Sequence, residues 1–315
     1  MLRVPTSPAS PFLARAVADA RAASKRRAAE LPLAELRARA AALPPGRPFR
    51  AALSGAGSAV VAEIKRRSPA RGELRADLDP TRLATAYRRG GAAALSVLTE
   101  PVHFDGSPED LRAARAAVDL PVLRKDFVTV PYQVWEARAW EADAVLLIVA
   151  ALSQTLLADL LAEAAAAGLE ALVEVHSEEE AAVAAAVGAG LVGVNARDLA
   201  TLRVDQGRLA QVAHALPRGA TVVAESGIGG RADVLAAEAA GAHAVLVGES
   251  LVRSDDPAAT LAGLLGRPTV REVARSRAPA GLRSDEGAAG DEGAAGDEGA
   301  TREAGAQSGA GPPTV

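Results

Sequence analysis

The 315-residue chain contains no cysteine, one methionine and only three lysines, and aromatic residues make up 3% of it. Without cysteine there can be no disulfide, no thiolate nucleophile and no cysteine-based zinc site. The four histidines, His103, His176, His214 and His243, have no close pairing in the sequence, which argues against a metal centre. With so few aromatics, the core must be built from Ala, Val and Leu, and there is no stacking surface for nucleic acid. No apolar run reaches the roughly 18 residues of a membrane span, and the opening MLRVPTSPAS lacks the apolar stretch of a signal peptide. A protein of the cytoplasm is expected, with no membrane or nucleic-acid partner.

The scarcity of lysine is itself informative. Arginine supplies nearly every cation, yet Lys65 and Lys125 each end a short apolar run. A lysine kept at a strand end suggests a group that exchanges protons, which guanidinium cannot do near neutral pH. Chance survival in an arginine-rich composition is the competing explanation.

The net charge of −4 belongs to one end of the chain. From Arg283 to Val315 there are seven acids and two bases, leaving 32 acids and 33 bases in the remainder. The body is therefore close to neutral, with charges that read as solvated faces. The acidic end repeats GAAGDE from Gly287 and buries too little apolar surface to offset ordering entropy, so a low-complexity disordered tail is expected over 279–315. At the other end, an Ala- and Arg-rich stretch interrupted at Pro32 and closed by Pro44-Pro45-Gly46 predicts a helical extension over 1–45.

Between these ends, over 46–270, eight short apolar runs alternate with helical segments. The runs are 59–64, 93–98, 121–125, 144–149, 171–175, 191–195, 221–225 and 244–248. Helix starts are marked by Asp79-Pro80, Ser107-Pro108, Pro131, Ser153, Ser177, Asp205, Gly230 and Asp256-Pro257. Eight such units predict an α/β fold, the closed (β/α)8 TIM barrel, in preference to an open doubly wound sheet of five to seven strands.

A barrel of this kind works at the C-terminal ends of its strands, and residues two apart share a face. Glu63, Lys65, Lys125, Glu174, Asn195 and Glu225 all fall there. Mere solvation explains any one of them but strains to explain six. Converging lysines and glutamates supply proton donors and acceptors and shift one another's pKa. Glycines in Glu225-Ser226-Gly227-Ile228-Gly229-Gly230 and Val247-Gly248-Glu249-Ser250 follow strands seven and eight, where barrels commonly hold phosphate. Ser68 and Ser226 lack triad partners nearby and are expected to hydrogen-bond a ligand. His176 shares the inward parity of Glu174 but lies past the strand end, which suits an orienting or a surface role. Ser54-Gly55-Ala56-Gly57 precedes a strand instead of joining strand to helix, so it is not a dinucleotide fingerprint.

Six segments, in order, resemble the strand-end motifs of the indole-3-glycerol-phosphate synthase family. They are Glu63-Ile64-Lys65-Arg66-Arg67-Ser68-Pro69, Ser96-Val97-Leu98-Thr99, Leu123-Arg124-Lys125-Asp126-Phe127, Leu172-Val173-Glu174-Val175-His176, Asn195-Ala196-Arg197-Asp198-Leu199 and Ala224-Glu225-Ser226-Gly227-Ile228. The resemblance covers roughly residues 12–265. It implies a carboxy-lyase of tryptophan biosynthesis that needs no cofactor and no metal and closes an indole ring on a phosphorylated substrate. By the family pattern Lys125 is the general acid and Glu174 the base of the later dehydration. Lys65 would hold an anionic group or give a second proton, while Glu63, Asn195 and Glu225 bond substrate hydroxyls. Ser226, Gly227, Gly248 and Glu249 would bind phosphate, with Arg197 and Ser68 as further contacts. The resemblance leaves the protein a monomer or a weak homo-oligomer.

Two features depart from the pattern. The first loop reads Ser68-Pro69-Ala70, where the family often has a third-position serine, and the acidic repeat has no counterpart. Phosphoribosylanthranilate isomerase, a related barrel, would be expected to use a cysteine that this chain lacks. A catalytically silent phosphosugar-binding barrel is the alternative from another class, against which Lys65, Lys125 and Glu174 stand together. The stretch 66–77 is long for a strand-to-helix connection and is expected to act as a mobile lid pivoting at Gly72.

Overall fold

In the computed structural model the chain forms a closed barrel of eight parallel strands. The structure describes residues 10–267 apart from Ala56 and Leu199, so the tail expected over 279–315 lies outside the described residues. The strands are β1 (Ala59–Ile64), β2 (Ala94–Leu98), β3 (Val122–Lys125), β4 (Ala144–Ile148), β5 (Glu170–Val175), β6 (Leu191–Asn195), β7 (Thr221–Glu225) and β8 (Ala244–Val247). Ala59 pairs with Ala244 to join β8 back to β1 and close the ring.

Strand parity decides what each residue touches. Val60, Ala62 and Ile64 of β1 point outward into the layer shared with the helices. Val61 points inward and meets Leu123, Leu146, Leu172, Val223 and Leu246 in the barrel lumen. Every strand is buried on both faces, as a parallel barrel requires, so the sequence shows continuous apolar runs instead of alternation.

The helices after the strands begin where the cap residues direct. In α4 (Pro80–Gly90), the Asp79 carboxylate accepts from the Thr81 and Arg82 amides at 2.9 and 3.1 Å. Ser107, Ser153, Ser177 and Asp256 likewise cap α5 (Pro108–Ala117), α7 (Gln154–Ala166), α8 (Glu178–Ala186) and α12 (Pro257–Leu264). Between them, α6 (Pro131–Ala139) starts on its proline. One start differs from expectation. Asp205 spends its carboxylate on the Gly207 amide at 3.0 Å, and the helix after β6, α9 (Arg208–Val212), starts three residues later. The helix after β7, α10 (Arg231–Ala239), follows Gly230, and a four-residue helix, α11 (Glu249–Val252), precedes α12. Val149, expected in a strand, opens a 3-10 turn.

The segment before β1 closes both ends of the lumen. From α3 (Phe49–Ala52), Phe49 enters the inner core while Arg50 binds Glu170, Thr221 and Gly219 at the strand starts. At the other end α1 (Pro11–Glu30) buries Leu13, Ala16 and Ala20, and α2 (Leu33–Ala41) follows it. Two arginines attach α1 to the segment after β3, one at the turn and one on α6. Arg21 donates to Thr129 at 3.1 Å, and Arg27 forms a two-pronged pair with Glu136.

Glu136 also faces Arg124, which is fully buried on the outward side of β3. The Arg124 guanidinium donates to Asp126 at 2.8 Å and to the Gln133 carbonyl at 2.7 Å, and lies 4.2 Å from the centre of the Trp140 ring. A buried cation so fully paired is costly to disrupt, because removing it strands the carboxylates left behind. Among the described residues, no helix is long and apolar enough to cross a membrane.

Candidate active site

The C-terminal ends of the strands open into a cavity of about 820 Å³. All twelve residues expected at the site from the sequence line it: Glu63, Lys65, Ser68, Lys125, Glu174, Asn195, Arg197, Glu225, Ser226, Gly227, Gly248 and Glu249. Inward parity on β1, β3, β5, β6 and β7 brings the polar and ionisable groups together.

Lys125 occupies the centre of this charge pattern. Its Nζ lies 3.4 Å from Glu174 Oε2 and 3.6 Å from Glu225 Oε2. Burial works against its charge, but Glu174, Glu225 and Glu63 outweigh that cost and raise its pKa. The ammonium is therefore fully protonated at neutral pH. Glu174 shows the mirror image: burial disfavours its charge, and Lys125 with His176 overrides burial and holds it well below the usual carboxylate range. Glu225 goes the other way. Burial, then repulsion from Glu174, pushes its carboxyl up to about 8 despite Lys125. One lysine thus sits between an ionised carboxylate and a protonated one.

On β1, Lys65 Nζ pairs with Glu63 Oε1. A side chain at Gly248 would collide with that same Glu63 carboxylate, which accounts for glycine directly after β8. Asn195 Oδ1 accepts from the Ser226 hydroxyl at 2.8 Å and from the Arg197 amide at 3.0 Å, tying the ends of β6 and β7 together. Ser226 (φ 69°) and Gly227 (φ 80°) both have left-handed backbone, so the chain turns sharply at the lip of the cavity. For Ser226 this is a strained conformation of the kind that collects at functional sites. The amides of Gly229 and Gly230 are already bonded to Asp233 at 2.8 and 2.9 Å. Any anion at this lip must therefore use groups before Gly229.

The stretch after β1 contains a short hairpin that the sequence did not suggest, with Arg67–Ser68 antiparallel to Gly72–Glu73. Arg66 at its base forks onto Asp110, with Nη2 2.9 Å from Oδ1. Arg71 at its tip reaches Glu249 at 3.2 Å.

Sequence reasoning also missed the apolar wall. Phe12, Phe104 and Phe127 line the cavity together with Leu146 and Ile148. Phe12 and Phe104 each lie with ring centres 6.2 Å from Phe127. The chain has four phenylalanines, and three meet here. In a sequence this poor in aromatics, that scarcity was the available signal. The cavity can therefore take a ligand with one flat apolar part and one polyanionic or hydroxylated part. Among the described residues, no group of acids and histidines could hold a metal ion.

Known proteins agree with this geometry at two levels. Among solved structures, thiamine phosphate pyrophosphorylase from Pyrococcus furiosus matches with a TM-score of 0.50 at 20% identity, covering 69% of this chain and 96% of that one. An N-acetylmannosamine-6-phosphate 2-epimerase from Clostridium perfringens matches equally at 16% identity, covering 66% and 93%. Such distant likeness supports the barrel alone. Sequence relatives are much nearer. The indole-3-glycerol phosphate synthase of Mycolicibacterium gilvum is 54% identical over 239 residues, 76% of this chain and 88% of the relative. Indole-3-glycerol phosphate synthase 2 of Streptomyces coelicolor is 52% identical over 257 residues, 82% of this chain and the whole of the relative. The family model for indole-3-glycerol phosphate synthase matches residues 13–264, from the first turns of α1 to the end of α12. With the barrel, the strand-end lysines and glutamates and this match in agreement, the chain belongs to the indole-3-glycerol phosphate synthase family.

Proposed function

We propose that the protein converts 1-(2-carboxyphenylamino)-1-deoxyribulose 5-phosphate into indole-3-glycerol phosphate, CO2 and water, as a carboxy-lyase of tryptophan biosynthesis. The observation that carries this reading is the Lys125 ammonium between Glu174 and Glu225, in a cavity that also presents three phenylalanines. Ring closure needs an acid at the ribulose carbonyl at the moment the aromatic carbon attacks it. Lys125 gives its proton to that oxygen, and departure of CO2 returns an electron pair to the ring. The new hydroxyl then leaves as water with a proton from Lys65, while Glu174 accepts a proton from the closing ring.

The remaining residues bind and orient. Ser226, Gly227, Gly248 and Glu249 hold the phosphate largely through backbone, and Ser68 and Arg197 close around it. Glu63, Asn195 and Glu225 bond the hydroxyls, and Glu225 can donate such a bond because its carboxyl keeps a proton to about pH 8. The phenylalanines enclose the aromatic ring and exclude water, which strengthens each charge at the reacting carbonyl. The reaction takes place in the cytoplasm, in a monomer or a weak homo-oligomer that sedimentation would resolve.

A direct assay decides the central claim. Purified protein given the ribulose phosphate should produce indole fluorescence with saturable kinetics. Binding of substrate with no product would overturn the reading and leave a silent phosphosugar-binding barrel.

A further inference from the structure

Glu174 has a second cation beside it that the proposed reaction does not use. His176, two residues along, shares its inward face and is only 7% exposed. Glu180, in the first turn of α8, takes two bonds from His176, from the backbone amide at 2.8 Å and from Nδ1 at 3.2 Å. Ser177 caps this turn by accepting from the Glu180 amide at 3.3 Å. The ring is thereby fixed with Nε2 toward Glu174 Oε1 at 3.3 Å, an ion-pair approach whose angle falls short of a hydrogen bond. The other Glu174 oxygen faces Lys125.

Three charged groups face His176 directly. Glu174 approaches from β5, Glu180 from α8, and Arg208 of α9 donates to the His176 carbonyl while pairing with Asp205 at 3.5 Å. Lys125 lies beyond Glu174. Burial opposes charge on the imidazole, but Glu174 and Glu180 outweigh it and raise its pKa to about 10.

We propose that His176, held in place by Glu180, is a permanently cationic positioning residue that keeps Glu174 ionised and oriented once Lys125 has given up its proton. The inference rests on the roles assigned above to Lys125 as acid and Glu174 as base. When the Lys125 ammonium becomes an amine, Glu174 loses its principal counter-charge while remaining buried. A buried carboxylate without a partner takes up a proton and ceases to be a base. His176 supplies the charge that persists, transferring no proton itself. A purely mechanical role, with the pair stapling β5 to α8, makes different predictions.

Two measurements separate the possibilities. The first is an NMR titration of the substrate-free protein, with His176 assigned by its loss in His176→Asn. His176 should stay protonated well past neutral pH and titrate near 10, and Glu180→Gln should lower its pKa by about a unit or more. A wild-type His176 that titrates near the ordinary value of about 6.5 overturns the proposal. The second is the pH profile of kcat, which reports the substrate complex in which Lys125 acts as the acid. Without the imidazolium, Glu174 is easier to protonate, so the acid limb of His176→Asn should move up by about a unit, with kcat falling more than KM changes. An unmoved limb with a lowered melting temperature means a staple and sinks the idea. Should His176→Asn fail to fold, Glu180→Gln, which keeps the ring and an amide in place of the carboxylate, carries the same profile. If the wild-type protein forms no indole product, the functional reading fails by itself. The carboxyl carbon shift of Glu174 in the two variants then still decides whether His176 holds it ionised.

Discussion

The Glu225 carboxyl lies directly over the bare backbone of Gly193, and a methyl group there would overlap the Glu225 Oε1 atom. The two residues sit on neighbouring strands, with Asn195 paired to Glu225 in register. The carboxyl therefore owes its place beside Lys125 to the absence of a side chain on β6. Gly193→Ala should displace Glu225 and lower kcat by roughly ten- to a hundredfold, while overpacking costs about 1–3 kcal/mol of stability. Urea unfolding and steady-state kinetics measure both, and an alanine variant with wild-type kcat would show that Glu225 has room to spare.

Lys125→Met should lower turnover by about 10²- to 10⁴-fold, the usual contribution of a general acid, with substrate binding still measurable. Arginine at this position should not rescue it, since guanidinium keeps its proton. Single-turnover kinetics would expose an error, because a variant with wild-type rates cannot have lost the acid.

The raised pKa of Glu225 has a signature in stability. Its ordinary value of 4.5 applies when unfolded and about 8 when folded, so between these limits the folded state binds more protons. Its contribution to stability is complete below about pH 4.5 and declines as pH rises toward 8. Glu225→Gln removes that dependence. The variant should gain on the wild type as pH increases through this window, in paired thermal melts. A constant difference in melting temperature across it would mean that Glu225 titrates normally.

The hairpin after β1 should gain hydrogen-exchange protection over residues 66–77 when a phosphorylated substrate analogue binds, as expected for a lid. Its tip is held by Arg71 and Glu249, both substantially solvated, and such a pair contributes about 0–1 kcal/mol. Arg71→Ala should accordingly leave the melting temperature unchanged and raise KM a few-fold. Exchange in this segment that ignores the analogue would make it a static rim.

The strand-end groups were legible because a barrel strand imposes a two-residue repeat on a short, doubly buried run. Once β1, β3, β5, β6 and β7 were placed, Glu63, Lys125, Glu174, Asn195 and Glu225 had to share one end. The hairpin was not legible: two-residue strands carry no periodicity, and the contact at its base joins Arg66 to Asp110, 44 residues away. Phe12 was hidden for a similar reason, because nothing local says that the start of α1 returns to the mouth of the barrel. Nothing in the sequence marks Arg124, next to Lys125, as a buried cation. Its burial becomes intelligible only when Asp126, Glu136 and Trp140 close around it.

The attachment of α1 has a thermodynamic consequence. Phe12 lines the cavity, while Arg21 and Arg27 of the same helix grip the segment that follows Lys125. A molecule that gains free energy from Phe12 binds the helix-docked form more tightly, and so shifts the docking equilibrium in its own favour. Linkage is reciprocal, so whatever loosens the helix must weaken ligand affinity by the same factor. A substitution in α1 remote from the reacting atoms would then present itself in an assay as a defect of substrate recognition.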